Sequence, residues 1–350
     1  MNSIFRIGMG AILLGSLIFA VAGASSAPAI TGTWSVEPGR SANDGMVNLE
    51  MRRRSGHSSW SSGETVPVSA LVGLDPGVLR GGNAPVHFEV RRDAGIFRFE
   101  GSVRNGEGAG HFSFEPDAGY VAELEKMGYG SLDGDRLFSL AVHDVNRTFL
   151  RDLFSLGFAR IALDDAIAFR IHGATVEYVR ALQGLGYRSA TPNQIVAFRI
   201  HGATPEYVKA LSDMGMAGIA PDDLVAMRIH GVRPEFVKVF RDLGYPALAP
   251  SDLVALRIHG ATEDFVRHLA DLGYGRIPAD DLVAMRIHGV SPDFIRELRS
   301  LGYPHVPVDD LVAMRIHHVT ADFIRRVEAR RSTKPTPDEL VEMRIHGEVD

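Results

Sequence analysis

Cysteine is absent from this 350-residue chain, and its absence removes whole classes of chemistry. Without a thiol the protein has no disulfide, no thiolate nucleophile, no cysteine-ligated zinc and no lipid-anchored cysteine. The fold must therefore be stabilised by the burial of its core. Tryptophan is scarce as well, because Trp34 and Trp60 are the only two. A composition of 45% hydrophobic and 23% charged residues is nevertheless that of a folded soluble protein.

The motifs of common enzyme classes are also missing. The sequence has no His-Glu-x-x-His, no Gly-x-Ser-x-Gly, no phosphate-binding loop and no dinucleotide-binding fingerprint. Asp133-Gly134-Asp135 is similar to the start of a calcium loop, but the downstream ligands are missing, so we interpret it as a turn and a helix cap. We therefore expect no catalytic residue, no cofactor and no metal site. The net charge of −6 argues against a nucleic-acid partner, because such proteins normally carry a basic surface.

One long apolar run stands near the N-terminus. It extends from Ile7 to Ala22 after a single charge, Arg6, and Ala22-Gly23-Ala24 fits a small-residue cleavage site. This pattern predicts a signal peptide over residues 1–24, cleaved after Ala24, and export to the periplasm or the cell exterior. A retained membrane anchor is the alternative, because the run is close to the shortest length that spans a bilayer. Membrane contact is expected only if this segment is retained.

Residues 25–115 predict a small antiparallel β domain. Apolar residues alternate with polar ones in 47–51, 86–90, 97–99 and 112–114, as is typical of half-buried strands. We expect 86–115 to form a three-stranded meander, with a three-residue hairpin loop at 93–95 and a tight turn at Asn105-Gly106. Strands near 31–36 and 46–54 would complete a small β-sandwich or an open barrel. The polar stretch from Arg53 to Glu64 is expected to be a loop.

A period of 29 residues organises the remainder, residues 116–350. The motif Arg-Ile-His-Gly first appears in full at Arg170 and returns every 29 residues, with His318 in place of Gly after Arg315. Self-similarity at a fixed period is the signature of a repeat protein. Each unit has the pattern of two short helices, which predicts an α-solenoid of about eight helix-turn-helix repeats. The expected fold is thus multi-domain, β first and then all-α.

The unit over residues 222–250 shows where each helix is expected to begin and end. Asp222 predicts the N-cap of the first helix, and Gly231 predicts its left-handed end. The second helix should begin at Arg233-Pro234 and end at Gly244. Because the first helix is apolar on most sides, we expect it to be buried between neighbours, with Ile229 in the core.

The repeated Arg and His predict a structural ladder. We expect each His to bond the terminal carbonyls of its helix. A pH-responsive column and a metal site are alternatives, although residues one helix spacing apart do not converge on an ion. The ladder consists of Arg170, His172, Arg199, His201, Arg228, His230, Arg257, His259, Arg286, His288, Arg315, His317, Arg344 and His346, preceded by His143.

Acidic residues recur with the same period and are the expected partners of the repeated Arg. A charge inside an apolar arc must be paired, and a guanidinium can bind a carboxylate with two hydrogen bonds. The N-cap acids are a second candidate set. The first set lies seven residues after each Arg: Glu177, Glu206, Glu235, Asp264, Asp293 and Asp322.

A second basic column lies on the second helices. Its members are Arg151, Arg180, Lys209, Lys238, Arg267, Arg296 and Arg325. Ion pairs with the acids three residues earlier are the simpler interpretation, and a basic stripe that binds an anionic polymer is the alternative. Specific contacts are expected at positions that differ between units, such as Gln183, Met216, Arg233, His268 and His305.

The unit Asp-Asp-Leu-Val-Ala-Met-Arg-Ile-His-Gly-Val-x-Pro-Glu-Phe-Val, ending in Leu-Gly-Tyr, resembles a bacterial repeat of extracytoplasmic tails. Those tails follow membrane-embedded metallopeptidase modules of the antibiotic-sensor (antirepressor) type. Residues 88–101 and 108–114 look like the β module that precedes the repeats there. The resemblance covers roughly residues 30–350. It implies no activity for this chain, which has neither the peptidase's zinc motif nor its transmembrane helices.

These observations predict a non-enzymatic, exported scaffold or binding protein whose solenoid surface binds a protein, a peptide or an envelope polymer. An envelope sensor or regulatory subunit, with a membrane protease or a signalling protein as its partner, is the second hypothesis. An unrecognised hydrolase is the third, and it is disfavoured because no convergent set of titratable residues is visible in the sequence.

Overall fold

The computed structural model describes residues 30–38, 45–55, 58–245 and 248–347, so the predicted signal peptide lies outside the described residues. In this part of the chain, six β-strands are followed by sixteen α-helices. The chain divides into two compact units, one ending at Ala141 and the other beginning at Val142. The predicted order of a β domain and then an all-α repeat array is confirmed.

The strands form one open antiparallel sheet. They are β1 (Ile30–Pro38), β2 (Met46–Ser55), β3 (Ser58–Pro67), β4 (Ala84–Arg92), β5 (Gly95–Arg104) and β6 (Glu107–Pro116), in the order β3-β2-β1-β6-β5-β4. The sequence left a sandwich and an open barrel as alternatives, and the structure has a single sheet. Although β3 and β4 are the opposite edges, Arg92 Nη2 lies 3.5 Å from Glu64 Oε2. The sheet therefore curves enough to bring its edges together at that point.

The predicted meander is confirmed as β4, β5 and β6, with one difference at a turn. Asn105 and Gly106 both have positive φ, 54° and 87°, as the predicted tight turn requires. The loop predicted at 93–95 is shorter than expected. Arg92 pairs directly with Gly95, which leaves only two residues in the turn.

The loop predicted from Arg53 to Glu64 is wrong, because most of this stretch is the β2–β3 hairpin. Its strand pattern is hidden because the inward-facing position is charged. The Arg53 side chain is 17% exposed, its Nη1 lies 2.6 Å from Asp135 Oδ1, and its guanidinium lies 5.6 Å from the Phe138 ring. The inward-facing charge of Arg53 is paired with Asp135, which lies 82 residues further along the chain. The local alternation of apolar and polar residues does not reveal such a distant partner.

An aromatic cluster fills the inner face of the sheet. Helices α1 (Ala118–Lys126) and α2 (Gly134–Val142) follow β6, and α2 places Phe138 over the cluster. The Phe138 ring centroid lies 5.0 to 6.1 Å from the rings of Trp60, Phe97, Phe112 and Phe114. Edge-to-face and stacked contacts of this kind stabilise beyond simple area burial.

The helices alternate between two types, and the predicted eight of each are present in the described residues. The second helices are α1, α3 (Arg147–Ser155), α5 (Val176–Gly184), α7 (Pro205–Asp213), α9 (Pro234–Asp242), α11 (Glu263–Asp271), α13 (Pro292–Ser300) and α15 (Ala321–Glu328). The first helices are α2, α4 (Leu163–His172), α6 (Pro192–His201), α8 (Pro221–Ile229), α10 (Pro250–Ile258), α12 (Ala279–Ile287), α14 (Val308–Ile316) and α16 (Pro337–His346).

The helices after Val142 form two layers. From α4 to α16 each first helix contacts the next first helix, and from α3 to α13 each second helix contacts the next second helix. Leu224 and Met227 are both 0% exposed, which shows how each first helix contributes to a continuous core. Such nearest-neighbour stacking is what defines a solenoid.

The first helices begin earlier than predicted. Asp222 is not the N-cap of α8, because that helix begins at Pro221. The residues at the same position in α6, α10 and α16 are likewise the second residue of their helix. Proline suits the first helical position because its φ is preset and no amide partner is needed there. Asp222 then lies where the helix dipole favours negative charge. The caps of the second helices are confirmed where they are Thr or Ser, as in Thr204, which accepts from the Tyr207 amide.

Candidate functional site

The Ile of the repeated motif lies on the surface. The expectation that it belongs to the core is wrong in every complete copy, because its exposed fraction is between 46% and 55%. Only nine large hydrophobic side chains are exposed among the described residues, and seven of them are this residue. They are Ile171, Ile200, Ile229, Ile258, Ile287, Ile316 and Ile345, which we call the isoleucine column.

The isoleucine column is more uniform than the core beneath it. The fully buried position two residues before each Ile is Phe in α4 and α6, Met in α8 and Leu in α10. A buried position thus tolerates several residue types, whereas the exposed position is Ile in all seven copies. Ile is not a strong helix former, because its branched side chain loses rotamer freedom in a helix. Neither helix formation nor core packing accounts for this uniformity.

The His of each motif stands beside the Ile, and its imidazole makes no bond to the end of its helix among the described residues. From His172 onward the His side chain is exposed, apart from the half-buried His317, and no imidazole hydrogen-bonds to a described residue. The predicted bond from the imidazole to terminal carbonyls is therefore wrong. His143, in the incomplete first copy, is half-buried, and this burial lowers the pKa of its imidazole.

The Arg of each motif contacts the preceding unit. Every guanidinium lies over an aromatic ring of the preceding second helix, 4.6 to 5.4 Å from its centroid. In three copies the Arg Nε also donates to the backbone carbonyl of the preceding His, at 3.2 Å from Arg170, 3.3 Å from Arg228 and 3.4 Å from Arg286. The stacked rings belong to Phe149, Tyr178, Tyr207, Phe236, Phe265, Phe294 and Phe323.

The predicted Arg–acid ladder is therefore an Arg–aromatic ladder. Within the described part of the chain, five of these arginines form no ion pair: Arg199, Arg228, Arg257, Arg286 and Arg315. A guanidinium is weakly hydrated and stacks on ring faces, so a ring and a carbonyl can replace a carboxylate. The predicted acid partner Glu206 instead lies in the first turn of α7. There, bonds to its own backbone amide and to Thr204 lower the pKa of its carboxyl.

The Gly of the motif allows this close approach. Gly202 has a φ of 73°, and a Cβ atom on it would lie 3.1 Å from Arg228 Nη2. The first copy departs from the pattern, because Asp144 occupies the Gly position with a φ of 48° and its Oδ2 accepts from Arg170 Nη2 at 2.5 Å. In this copy, the acid at the position of the Gly therefore pairs with the repeated Arg.

The basic column on the second helices is engaged in local ion pairs. Lys209 Nζ lies 2.7 Å from Asp213 Oδ2, and Lys238 Nζ lies 2.6 Å from Asp242 Oδ2. Arg267 pairs with Glu263 at 2.6 Å, and Arg325 pairs with Asp322 at 2.7 Å. Arg296 pairs with Asp293. The predicted pairing with the acid three residues earlier is present for Arg296 and Arg325. Lys209, Lys238 and Arg267 pair instead with a different acid four residues away.

The positions that differ between units do not converge on one site. Gln183 Nε2 donates to the Leu156 carbonyl at 2.7 Å, and the His305 ring stacks on Tyr274 at 4.7 Å, so both hold neighbouring units together. Arg233 precedes α9 without a side-chain cap, and His268 is exposed on α11. Met216 lines a cavity of about 300 Å³.

Met216 stands where other units have a tyrosine that links two units. Tyr187 donates its hydroxyl to the Ile219 carbonyl at 2.9 Å, and Tyr274 donates to the Val306 carbonyl at 2.8 Å. By the same spacing, the acceptor for residue 216 is the Leu248 carbonyl. We expect Met216→Tyr to fill the cavity, restore this bond and raise the free energy of unfolding by about 1 kcal/mol.

Thermal unfolding followed by circular dichroism checks this prediction. Met216→Phe is the matched control, because it fills the same space without a donor. A melting temperature of Met216→Tyr at or below that of Met216→Phe would contradict the inferred hydrogen bond.

The described residues hold no cluster of three or more His, Asp or Glu side chains that could bind a metal ion. Within the same residues, no helix combines the length and apolarity that a bilayer crossing requires. No protein-family model matches the chain, and no characterised protein is similar enough to be taken as a relative. The resemblance to the tails of antibiotic-sensor peptidases therefore stays a prediction.

Proposed function

We propose that the protein is a non-enzymatic, exported scaffold or binding protein that engages a protein or peptide partner along the isoleucine column. The observation that carries the proposal is the exposure of the same apolar side chain in seven consecutive units. Exposed apolar side chains that recur along one array fit an interaction site, because soluble proteins bury most of their large apolar side chains.

The residues next to the isoleucine column favour a specific interface over non-specific hydrophobic association. Each Ile is followed by a His, which is exposed in all copies except the half-buried His317. The imidazole of every one of these His residues can donate and accept hydrogen bonds, and none has a partner among the described residues. Acids such as Asp222 lie in the first turn of the same helices, away from the Ile at the other end. An apolar line bordered by polar groups is the usual composition of an interface core and its rim.

The spacing of the column favours a partner that extends along the array. Neighbouring helix axes are roughly 8–10 Å apart, so the Ile side chains recur at about that interval. A long polypeptide segment that contacts several units gains affinity from each one, and burial of the exposed half of an Ile contributes about 0.7–1.5 kcal/mol. The proposed partner is therefore an extended chain or an elongated protein surface.

Replacing three central members of the column tests the proposal. The triple variant Ile229→Ser, Ile258→Ser and Ile287→Ser should still fold, with a melting temperature somewhat below that of the wild type, because about half of each side chain is buried. Its affinity for a partner captured from the cell-envelope fraction should fall at least about 100-fold. Thermal unfolding followed by circular dichroism measures the melting temperature. Capture by the full-length protein, followed by titration of the recovered partner, measures the affinity.

The matched control alters the basic column instead. Lys209→Gln, Lys238→Gln and Arg267→Gln change three exposed residues of the same array without touching the Ile side chains. Equal capture by wild type and the Ile variant would contradict the proposal, and loss only in the control would favour the basic stripe. A membrane protease or receptor as the sole partner would favour a sensor subunit over a scaffold.

A further inference from the structure

A large cavity lies on the outer face of the described sheet. It has a volume of about 810 Å³, and its lining comes from β1, β2, β3 and β6. Successive side chains of a strand point to opposite faces, so these lining residues face away from Trp34 and Met51, which belong to the core. The lining residues on this face are Thr31, Thr33, Glu50, Arg52, Arg54, Ser59, Ser61 and His111, and Gly32, Arg53 and Trp60 of the same strands also line the cavity.

Strand register brings these side chains into rows. Thr33 is directly opposite Arg52 on one side and His111 on the other, and Arg52 is opposite Ser61. Arg54 is opposite Ser59 in the next row. Neighbouring strands are about 4.8 Å apart, so the first row extends roughly 14 Å across four strands. The cavity is thus a polar groove that crosses the strands.

Most of the polar groups in this groove have no partner among the described residues. Arg54, His111 and the hydroxyls of Thr31, Thr33, Ser59 and Ser61 make no hydrogen bond with the described residues. Arg52 is fixed, because its Nε and Nη2 donate to the two carboxylate oxygens of Glu50 at 2.8 and 2.9 Å. A free guanidinium and an imidazole therefore stand among hydroxyls that both donate and accept.

We propose that this groove binds an acidic saccharide, a sugar chain that carries carboxylate groups. The Arg54 guanidinium binds the acid, and the Ser and Thr hydroxyls exchange hydrogen bonds with sugar hydroxyls. The size of the groove lies in the range of sites for small organic molecules and is far larger than a single ion requires. This site is in the β unit, so the inference does not depend on the isoleucine column.

Other ligand classes lack their usual anchors in this groove. Trp60 is its only aromatic lining residue, and the Trp60 ring packs on Phe138 at 5.0 Å, on the inner side of the sheet. Bases of a single-stranded nucleic acid would have no exposed ring to stack on. A peptide would find no apolar pocket for an anchoring side chain.

Titration of the full-length protein with tetragalacturonate tests the assignment. Isothermal titration calorimetry should detect binding of this carboxylated oligosaccharide and no comparable binding of uncharged maltotetraose. Arg54→Gln should weaken the affinity about tenfold or more, because a charge-assisted hydrogen bond is lost. Arg80→Gln, which changes an exposed arginine outside the groove, should leave the affinity unchanged.

A variant that is expected to bind more tightly serves as a second test, because misfolding can weaken binding but does not strengthen it. Glu50→Gln removes the one carboxylate in the groove and releases Arg52, so it should tighten binding about two- to fivefold. Equal binding of the neutral sugar, or an unchanged affinity in Arg54→Gln, would overturn the proposal. So would inorganic phosphate binding as tightly as the oligosaccharide, or no binding at about 1 mM oligosaccharide.

Discussion

Phe138→Ala is expected to lower the free energy of unfolding of the β unit by about 3–5 kcal/mol, the usual cost of removing a buried phenylalanine. Phe138 is 4% exposed, and its ring meets four other aromatic rings and the Arg53 guanidinium. Its removal leaves a cavity between α2 and the sheet. It also removes the cation–π contact with the Arg53 guanidinium, so the cost should fall in the upper part of this range.

Tryptophan fluorescence isolates this effect. Trp34 and Trp60 both belong to the β unit, so their emission follows the unfolding of the sheet and not that of the helical array. Val72→Ala is the control, because Val72 is 45% exposed in the same unit and should change stability by less than about 0.5 kcal/mol. If both variants unfold at the same denaturant concentration as the wild type, α2 does not seal the sheet.

Arg228→Ala has the second largest expected effect, about 2–3 kcal/mol of array stability. The substitution removes the guanidinium that lies 4.6 Å from the Tyr207 ring centroid, the bond from Nε to the His201 carbonyl, and the aliphatic stem. A cation–π contact contributes about 0.5–2 kcal/mol and a hydrogen bond about 1 kcal/mol. Stem packing adds to both.

Arg228→Met separates these contributions. Methionine retains a flexible stem and a favourable contact between sulfur and the ring, so we expect it to recover about half of the loss. Circular dichroism of the helices during thermal unfolding gives the comparison, with Lys238→Ala as the exposed control of small effect. Identical melting temperatures for wild type and Arg228→Ala would show that the stacked Arg does not stabilise the array.

The 29-residue period made the helical array predictable, because it fixed the number of units and the approximate start and end of each. Gly231 illustrates why: a glycine directly after a helical pattern is typical of the left-handed position that ends a helix, and its φ is 69°. The strands were predictable where one face was apolar, as in β4 to β6. They were missed at Arg53, whose inward position depends on an acid from α2.

The surface of the array was predicted least well, because apolar character was equated with burial. Consecutive helix residues are about 100° apart, so Ile229 lies about 140° from Leu224 and about 160° from Met227 around the axis. Since Leu224 and Met227 are both fully buried, this geometry places Ile229 on the opposite side. The partner of the repeated Arg could not be predicted by such reasoning. The aromatic ring that stacks on each Arg lies in the preceding unit. Acids, aromatic rings and carbonyls all recur with the same period, so the period does not distinguish between them as partners.

The Arg–aromatic ladder gives the array a direction. Each Arg of the described units extends toward the N-terminus, onto a ring of the unit made before it. A chain emerges in that same order, N-terminus first, whether from the ribosome or from a membrane channel. Every newly emerged Arg therefore meets a docking place that already exists, so the array can lengthen one unit at a time as the chain emerges. The dependence is one-sided: loss of the last unit removes no ring that an earlier Arg requires, whereas loss of the first leaves Arg170 without Phe149 and Asp144.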